Sequence, residues 1–156
     1  MVKSNTSERL KNIDSLVANA LVHVGATFAE LVRAALVAKG KVATGALMES
    51  ISVSPPMVRD GKVVVLVGSD LSYAERVHQG TPPGQPAPDI GAIMKWMAAK
   101  GINPMGEPER VAGMISRAIA RRGIPGVPYM SETFKESKDA LQEQLRRELA
   151  EVARKI

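Results

Sequence analysis

The stretch Ser50–Val67, SISVSPPMVRDGKVVVLV, decides how the chain folds, because it is the only β-rich part of the sequence. Ile51 and Val53 alternate with Ser50, Ser52 and Ser54, so one face of the segment is apolar and the other polar. Pro55-Pro56 lacks two backbone donors and confines this strand to an edge or a bulge. Asp60-Gly61 suits a two-residue hairpin turn. Lys62–Val67 (KVVVLV) is apolar on both faces, which predicts a central strand covered on each side.

The flanks on both sides are helical. Upstream, Leu10, Ile13, Val17, Ala20, Val24, Phe28, Leu31 and Ala35 recur at three- and four-residue steps. This predicts one long helix over 6–39, ending at Gly40 between Lys39 and Lys41. Gly25 interrupts it, at a cost of about 1 kcal/mol relative to alanine, and marks a bend or a close contact. The sheet region is expected over 48–68. Downstream, Ser72–His78 reads as one or two helical turns. Gly80–Asp89, GTPPGQPAPD, holds four prolines and two glycines in ten residues and reads as an extended arm with few internal hydrogen bonds. Short helices follow over 90–100 and 108–122, the second opened by Pro108 and closed by Gly123. Ile124–Pro128 is a second proline-rich connector. A last helix is expected over 130–155, with Phe134, Leu141, Leu145, Leu149 and Val152 as its apolar stripe. The expected fold is α+β: a small antiparallel sheet with long N- and C-terminal helices and two short helices packed on it. The 156 residues make one domain, 1–156.

Composition narrows the function classes. Hydrophobic residues are 45% and charged residues 24%, a globular balance. The absence of cysteine excludes disulfides and thiolate metal sites. Met1–Leu10 is polar and mixed in charge, unlike a secretory signal. The longest charge-free apolar stretch, Ser15–Ala29, falls short of the roughly 20 residues of a membrane span. A soluble protein without a membrane partner is therefore expected. The net charge of +5 is uneven, since residues 95–122 carry six Lys/Arg against two acids. Arg110, Arg117 and Arg121 fall within about 40° of one another on a helical wheel, with Val111, Ile115, Ala118 and Ile119 opposite. These arginines, with Arg122, are the candidates to face DNA or an acidic partner. Only Phe28, Tyr73, Trp96, Tyr129 and Phe134 could stack on bases, so any DNA contact is expected to be non-specific and made to the backbone.

Little in the sequence points to catalysis. His23 sits inside the long helix, and His78 has Glu75 and Tyr73 as sequence neighbours but no partnering nucleophile. The glycines form neither a Walker loop nor a dinucleotide fingerprint. No cofactor, no metal and no enzymatic activity are expected.

Residues 42–134 are similar to a tailed-bacteriophage tail-component family, the tail-completion or head–tail-joining proteins of the neck. Val42-Ala43-Thr44-Gly45-Ala46-Leu47 with Ser50-Ile51 resembles the family's D-T-G-x-L…S-I start. Tyr73-Ala74, Val77 and Gly80-Thr81 resemble its Y-A…V…G-T segment. Trp96, Lys100-Gly101-Ile102 and Ile119–Ile124 (IARRGI) are similar to longer members, and Pro128-Tyr129-Met130 stands where the family has P-F-L. The set covers about 60% of the chain, in order. The chain departs from the pattern at Ala43, Gln79 and Tyr129-Met130. The resemblance implies a virion structural protein, assembled in the host cytoplasm and built into a homo-oligomeric, six-fold ring at the neck or upper tail. Neighbouring connector or tail-tube proteins would be its partners, and DNA would pass through its lumen. On this basis the candidate subunit-interface residues are Thr44, Gly45, Tyr73, Gly80, Thr81, Pro82, Pro83, Pro128, Tyr129 and Met130. Three alternatives stand beside it: a head-closure or adaptor protein of the same connector, a basic non-specific DNA-binding protein, and a hydrolase with an unrecognised site.

Overall fold

The computed structural model describes residues 2–40 and 45–155, and the side chains within 14–40 and 45–154. The protein is α+β, with a long helix at each end and a short antiparallel β part between them. Helix α1 spans Val2–Ala38, 37 residues, and so runs about 55 Å. It ends where Gly40, at φ 63°, donates its N–H to the Val37 carbonyl. Helix α6, Tyr129–Lys155, lies against it. The two are antiparallel: Lys39 pairs with Glu132 at 2.5 Å, and His23 meets Glu148 at 3.2 Å. Between these pairs, Phe28 and Phe134 meet edge to face at 5.7 Å, a geometry adding about 0.5–1.5 kcal/mol beyond burial.

After the five-residue helix α2, Ala46–Ser50, comes one long hairpin in two segments. Its base is β1 (Ser52–Val53) against β4 (Val67–Gly68), and its distal half is β2 (Met57–Arg59) against β3 (Lys62–Val64). Ser52 faces Gly68 and Val53 faces Val67, but Met57 faces Val64, so the register slips by one between the halves. The slip sets Pro55-Pro56 opposite Val65 alone, a bulge at the two residues with no N–H to offer. Asp60 and Gly61, at φ 52° and 72°, make the left-handed turn that hairpin twist prefers.

The expectation of a central strand at Lys62–Val67 is corrected. The segment is split between β3 and β4, each paired on one side only. Its alternation still sorts the faces. Val53, Val65 and Val67 lie on α1, where a Cβ on Gly25 would stand 3.0, 3.2 and 3.5 Å from their methyls. Gly25 is thus a close contact that seats the hairpin on the helix. On the opposite face Leu66 is 53% exposed and Met57 37%.

The described residues form two cores. The larger gathers Ala29, Val32 and Leu36 of α1 with Leu47, Ile51, Ala74 and Tyr129. The smaller joins Ile93 and Met97 of α4 (Ile90–Ala99) to Ala112 of α5 (Pro108–Arg122). Helices α4 and α5 therefore pack chiefly on each other. Asp89 caps α4, its carboxylate accepting from the Ala92 N–H at 2.9 Å. Pro108 opens α5 and Gly123 closes it, as expected. The segment Asp14–Ala38 of α1 is long and apolar enough to cross a membrane by length and composition, and 28% of its most apolar stretch is buried in this chain. Here it forms the floor on which α6 and the hairpin base lie.

Candidate functional site

The two proline-rich connectors meet. Helix α3, Ala74–Gln79, ends at Gly80, and β5 (Gly80–Thr81) pairs antiparallel with β6 (Ile124–Pro125). The crossing is as tight as backbone allows. A Cβ on Gly80 would stand 2.4 Å from the Gly126 nitrogen, one on Gly123 2.2 Å from the Thr81 carbonyl oxygen, and one on Gly126 2.3 Å from the Gln79 carbonyl carbon. Gly80 and Gly123 also hold positive φ, 87° and 73°. Only glycine fits at these three positions. Below the crossing, Val127 donates its N–H to the Val77 carbonyl at 2.9 Å.

The rest of the arm lies back along α5. Gly84 donates its N–H to the Ala120 carbonyl at 2.8 Å, and Ser116 Oγ donates to the Pro88 carbonyl at 2.6 Å. Between arm, α3 and α5 opens a cleft of about 780 Å³, lined by Tyr73, Thr81, Pro82, Gln85, Pro86 and Ile119 among others, with Arg76 the one charged residue in its wall. Pro83 is exposed on the arm beside it. The cleft offers apolar surface, extended backbone and one guanidinium. The Tyr73 ring, Thr81 and Gln85 add polar groups to that lining, and a largely apolar wall with a few polar groups is the usual make-up of a binding cleft.

Of the expected interface residues, Tyr73, Gly80, Thr81 and Pro82 come together in this wall. Tyr129 does not face outward: it is 3% exposed and belongs to the main core. Its ring stands edge-on to His78 at 5.2 Å. Burial raises its phenol above the ordinary range, helped by the nearby Tyr73 phenol. Pro128 and Met130 are half-buried beside it, with Met130 packed on the same core. Gly45 lies apart from the cleft, in a left-handed conformation at the N-cap of α2, and Thr44 lies outside the described residues. The Gly123 and Gly126 contacts were missed in the sequence, where Gly123 read only as a helix stop. The spacing G-x-x-G at 123–126 was the available signal.

His78 stands on α3 with its ring edge-on to that of Tyr129. Its Nδ1 is buried and has no hydrogen-bond partner among the described residues. His23 is exposed on α1 and meets Glu148. Among the described residues no group of three or more His, Asp or Glu could hold a metal ion.

Arg110, Arg117, Arg121 and Arg122 are all exposed on α5. Arg110 pairs with Glu107 at 2.6 Å; Arg117, Arg121 and Arg122 have no ion-pair partner among the described residues. Arg122 stands about 100° around the helix from Arg121, so the stripe proper is Arg110, Arg117 and Arg121. The buried residues of the helix are Ala112, Gly113 and Ser116, and Val111, Ile115 and Ile119 of the expected apolar side pack on the α4–α5 core.

A second concavity, an apolar groove of about 330 Å³, runs between α1, α6 and the hairpin base. Leu21, Phe28, Phe134 and Leu145 line it, with Lys138 and Gln142 at the α6 side.

No family model matches the chain, and neither a curated protein nor a solved structure matches it.

Proposed function

We propose that the chain is a structural protein of a tailed-bacteriophage virion, forming a ring at the neck or upper end of the tail in the tail-completion or head–tail-joining role. The observation that carries the assembly part of this reading is surface area. The chain exposes 11070 Å². A compact monomer of its 16.7 kDa exposes about 7,600 Å². The excess, about 3,500 Å², exceeds the roughly 1,600 Å² that one subunit contributes to two standard interfaces, and a ring subunit has two. The phage part rests on the sequence resemblance. Its segments are internally consistent in space: Leu47, Ile51, Ala74 and Tyr129 share one core, and Gly80-Thr81 pairs with Ile124-Pro125. The cleft, largely apolar with Arg76 its one charged lining residue, fits a role in holding partners.

Tagging the chain in the phage that encodes it and imaging its particles tests the reading. The tag is expected as a ring at the head–tail junction or tail end, and in only one of the separated head and tail fractions. Particles without the tag would refute it. One observation favours a second reading, a free non-specific DNA-binding protein: Arg117, Arg121 and Arg122 are exposed and carry no ion pair among the described residues. That reading requires duplex binding whose log K falls with log salt at a slope of about −2 to −3 for three phosphate contacts.

A further inference from the structure

We infer that the cleft between the arm, α3 and α5 takes an extended acidic segment of a neighbouring protein, with a carboxylate of that segment paired to Arg76. The inference rests on the reading of this cleft as a partner-holding site and names the chemistry of what is held. Three observations carry it. First, the charge in the cleft is unbalanced. Arg76 is exposed, has no ion pair among the described residues and shares the wall with no acid. The two acids next to wall residues in sequence are engaged elsewhere: Glu75 accepts from Gln79 Nε2 at 3.1 Å, and Asp89 caps α4. A second guanidinium without an ion pair among the described residues belongs to the same side. On α5, Arg122 stands about 60° from Ile119, which lines the cleft, whereas Arg117 stands about 160° from it. A guanidinium without a counter-ion beside apolar surface favours a carboxylate, because the paired form makes shorter and stronger hydrogen bonds than a neutral acceptor.

Second, the arm offers backbone to an extended partner. Gly84 and Pro88 are tied to α5, but the N–H groups of Gln85 and Ala87 are bonded to nothing among the described residues. Each of these two residues precedes a proline, which holds it extended. An extended edge with free donors pairs with an extended segment, and pockets beside it read the alternate side chains. Third, the lining supplies those pockets: Tyr73, 39% exposed, stands across from Pro82, Pro86 and Ile119. A single strand of nucleic acid is the other extended polyanion. It carries a phosphate at every residue and asks for a track of cations with aromatic platforms. The wall offers one guanidinium and one aromatic ring. A peptide whose acids are spaced by apolar residues matches that wall.

The full chain is titrated against fluorescein-labelled peptides, read by fluorescence anisotropy. One probe alternates glutamate with leucine, a second has glutamine for glutamate, a third has lysine, and a single-stranded oligothymidylate is the fourth. The glutamate peptide is expected to bind at least about tenfold more tightly than the glutamine one, and the lysine peptide and the oligothymidylate more weakly still. Arg76→Glu should abolish the preference for glutamate and Arg76→Lys should keep part of it. Arg117→Glu, on the far side of α5, should leave it unchanged, all three with unaltered circular dichroism. In spectra of the isotope-labelled chain the Gln85 and Ala87 amides should shift on adding the glutamate peptide. Equal binding of the glutamate and glutamine peptides, or an undiminished preference in Arg76→Glu, would overturn the inference. So would shifts confined to the Arg110, Arg117 and Arg121 face. Tighter, Arg76-dependent binding of the oligothymidylate would assign the cleft to nucleic acid instead. No binding of any peptide at millimolar concentration, with the tagged ring still present in particles, would remove the inference and leave the virion reading standing; particles without the tag would remove the virion reading alone.

Discussion

Replacing Gly80 with alanine tests the connector crossing that shapes the cleft. The new Cβ would meet the Gly126 nitrogen at 2.4 Å and the Ile124 carbonyl oxygen at 2.5 Å, where ordinary contact begins at 3.4 Å. Both are backbone atoms, so no side chain can swing aside, and the connectors must part by roughly 1 Å. Two effects add. Gly80 holds φ 87° and ψ −176°, a region that costs a residue with a Cβ about 1–3 kcal/mol. Each β5–β6 hydrogen bond lost adds about 0.5–1.5 kcal/mol. The expected total is about 2–5 kcal/mol, a large part of a stability of roughly 5–15 kcal/mol. Gly84→Ala is the matched control, since Gly84 has φ 84° with nothing within 4 Å of its Cβ position. It carries the conformational penalty without the clash. In urea, Gly80→Ala is expected to lower the midpoint by about 1 M more than Gly84→Ala, given an m-value of roughly 1–3 kcal/mol/M. Amide exchange at Val127, bonded to Val77 across the junction, should accelerate only in the first variant. Equal midpoint shifts would refute the reasoning, because they would mean that the close approach contributes nothing.

Leu36 is fully buried in the main core, and Leu36→Ala is expected to cost about 2–5 kcal/mol by urea denaturation. Tyr129 has its pKa raised above 10.0. The folded state therefore holds the phenolic proton more tightly than the unfolded chain does, and stability should be complete below pH 10 and fall as pH rises through the folded pKa. Tyr129→Phe should remove that alkaline decline; an unchanged pH–stability profile would show that the phenol is not the group responsible. Reversing Arg117 and Arg121 to glutamate, at exposed sites, should shift stability by no more than about 0.5 kcal/mol. Under the proposed role it should nonetheless reduce the joining of heads to tails, read as infectious titre; a normal titre would separate the arginine stripe from assembly.

Local signals were legible in the sequence because each depends on a few adjacent residues. The Asp60-Gly61 turn, the bulge at Pro55-Pro56, Pro108 at the start of α5 and Gly123 at its end are all read from residue types whose backbone limits are intrinsic. The long helices were legible from their periodicity, to within a few residues at either end. Features that depend on distant partners were not. That Gly80 and Gly123 stand at one crossing requires knowing that 80–81 pairs with 124–125. Tyr129 could be placed in a motif, yet only the fold decides that it fills the core. The cleft was half legible: its arm was recognised from the prolines, but its other wall comes from α5 and the second connector.

The error at Lys62–Val67 bears most directly on function. Valine and leucine on both faces of a segment require that both faces leave water; the pattern does not say which atoms replace the water. In a self-sufficient fold the cover comes from the same chain, and a central strand follows. In a subunit of an assembly it comes from a neighbour, and the same pattern yields a strand open on one side when the chain stands alone. Leu66 at 53% exposed and Val58 at 76% are the positions where these alternatives differ. Burial of a valine or leucine side chain is worth about 1.5–3 kcal/mol, so this hairpin left bare forfeits several kcal/mol that a partner could recover. An open apolar hairpin of this kind also invites unspecific aggregation unless its partner is abundant and close. Under the proposed role, the neighbouring subunits of a ring would meet that condition.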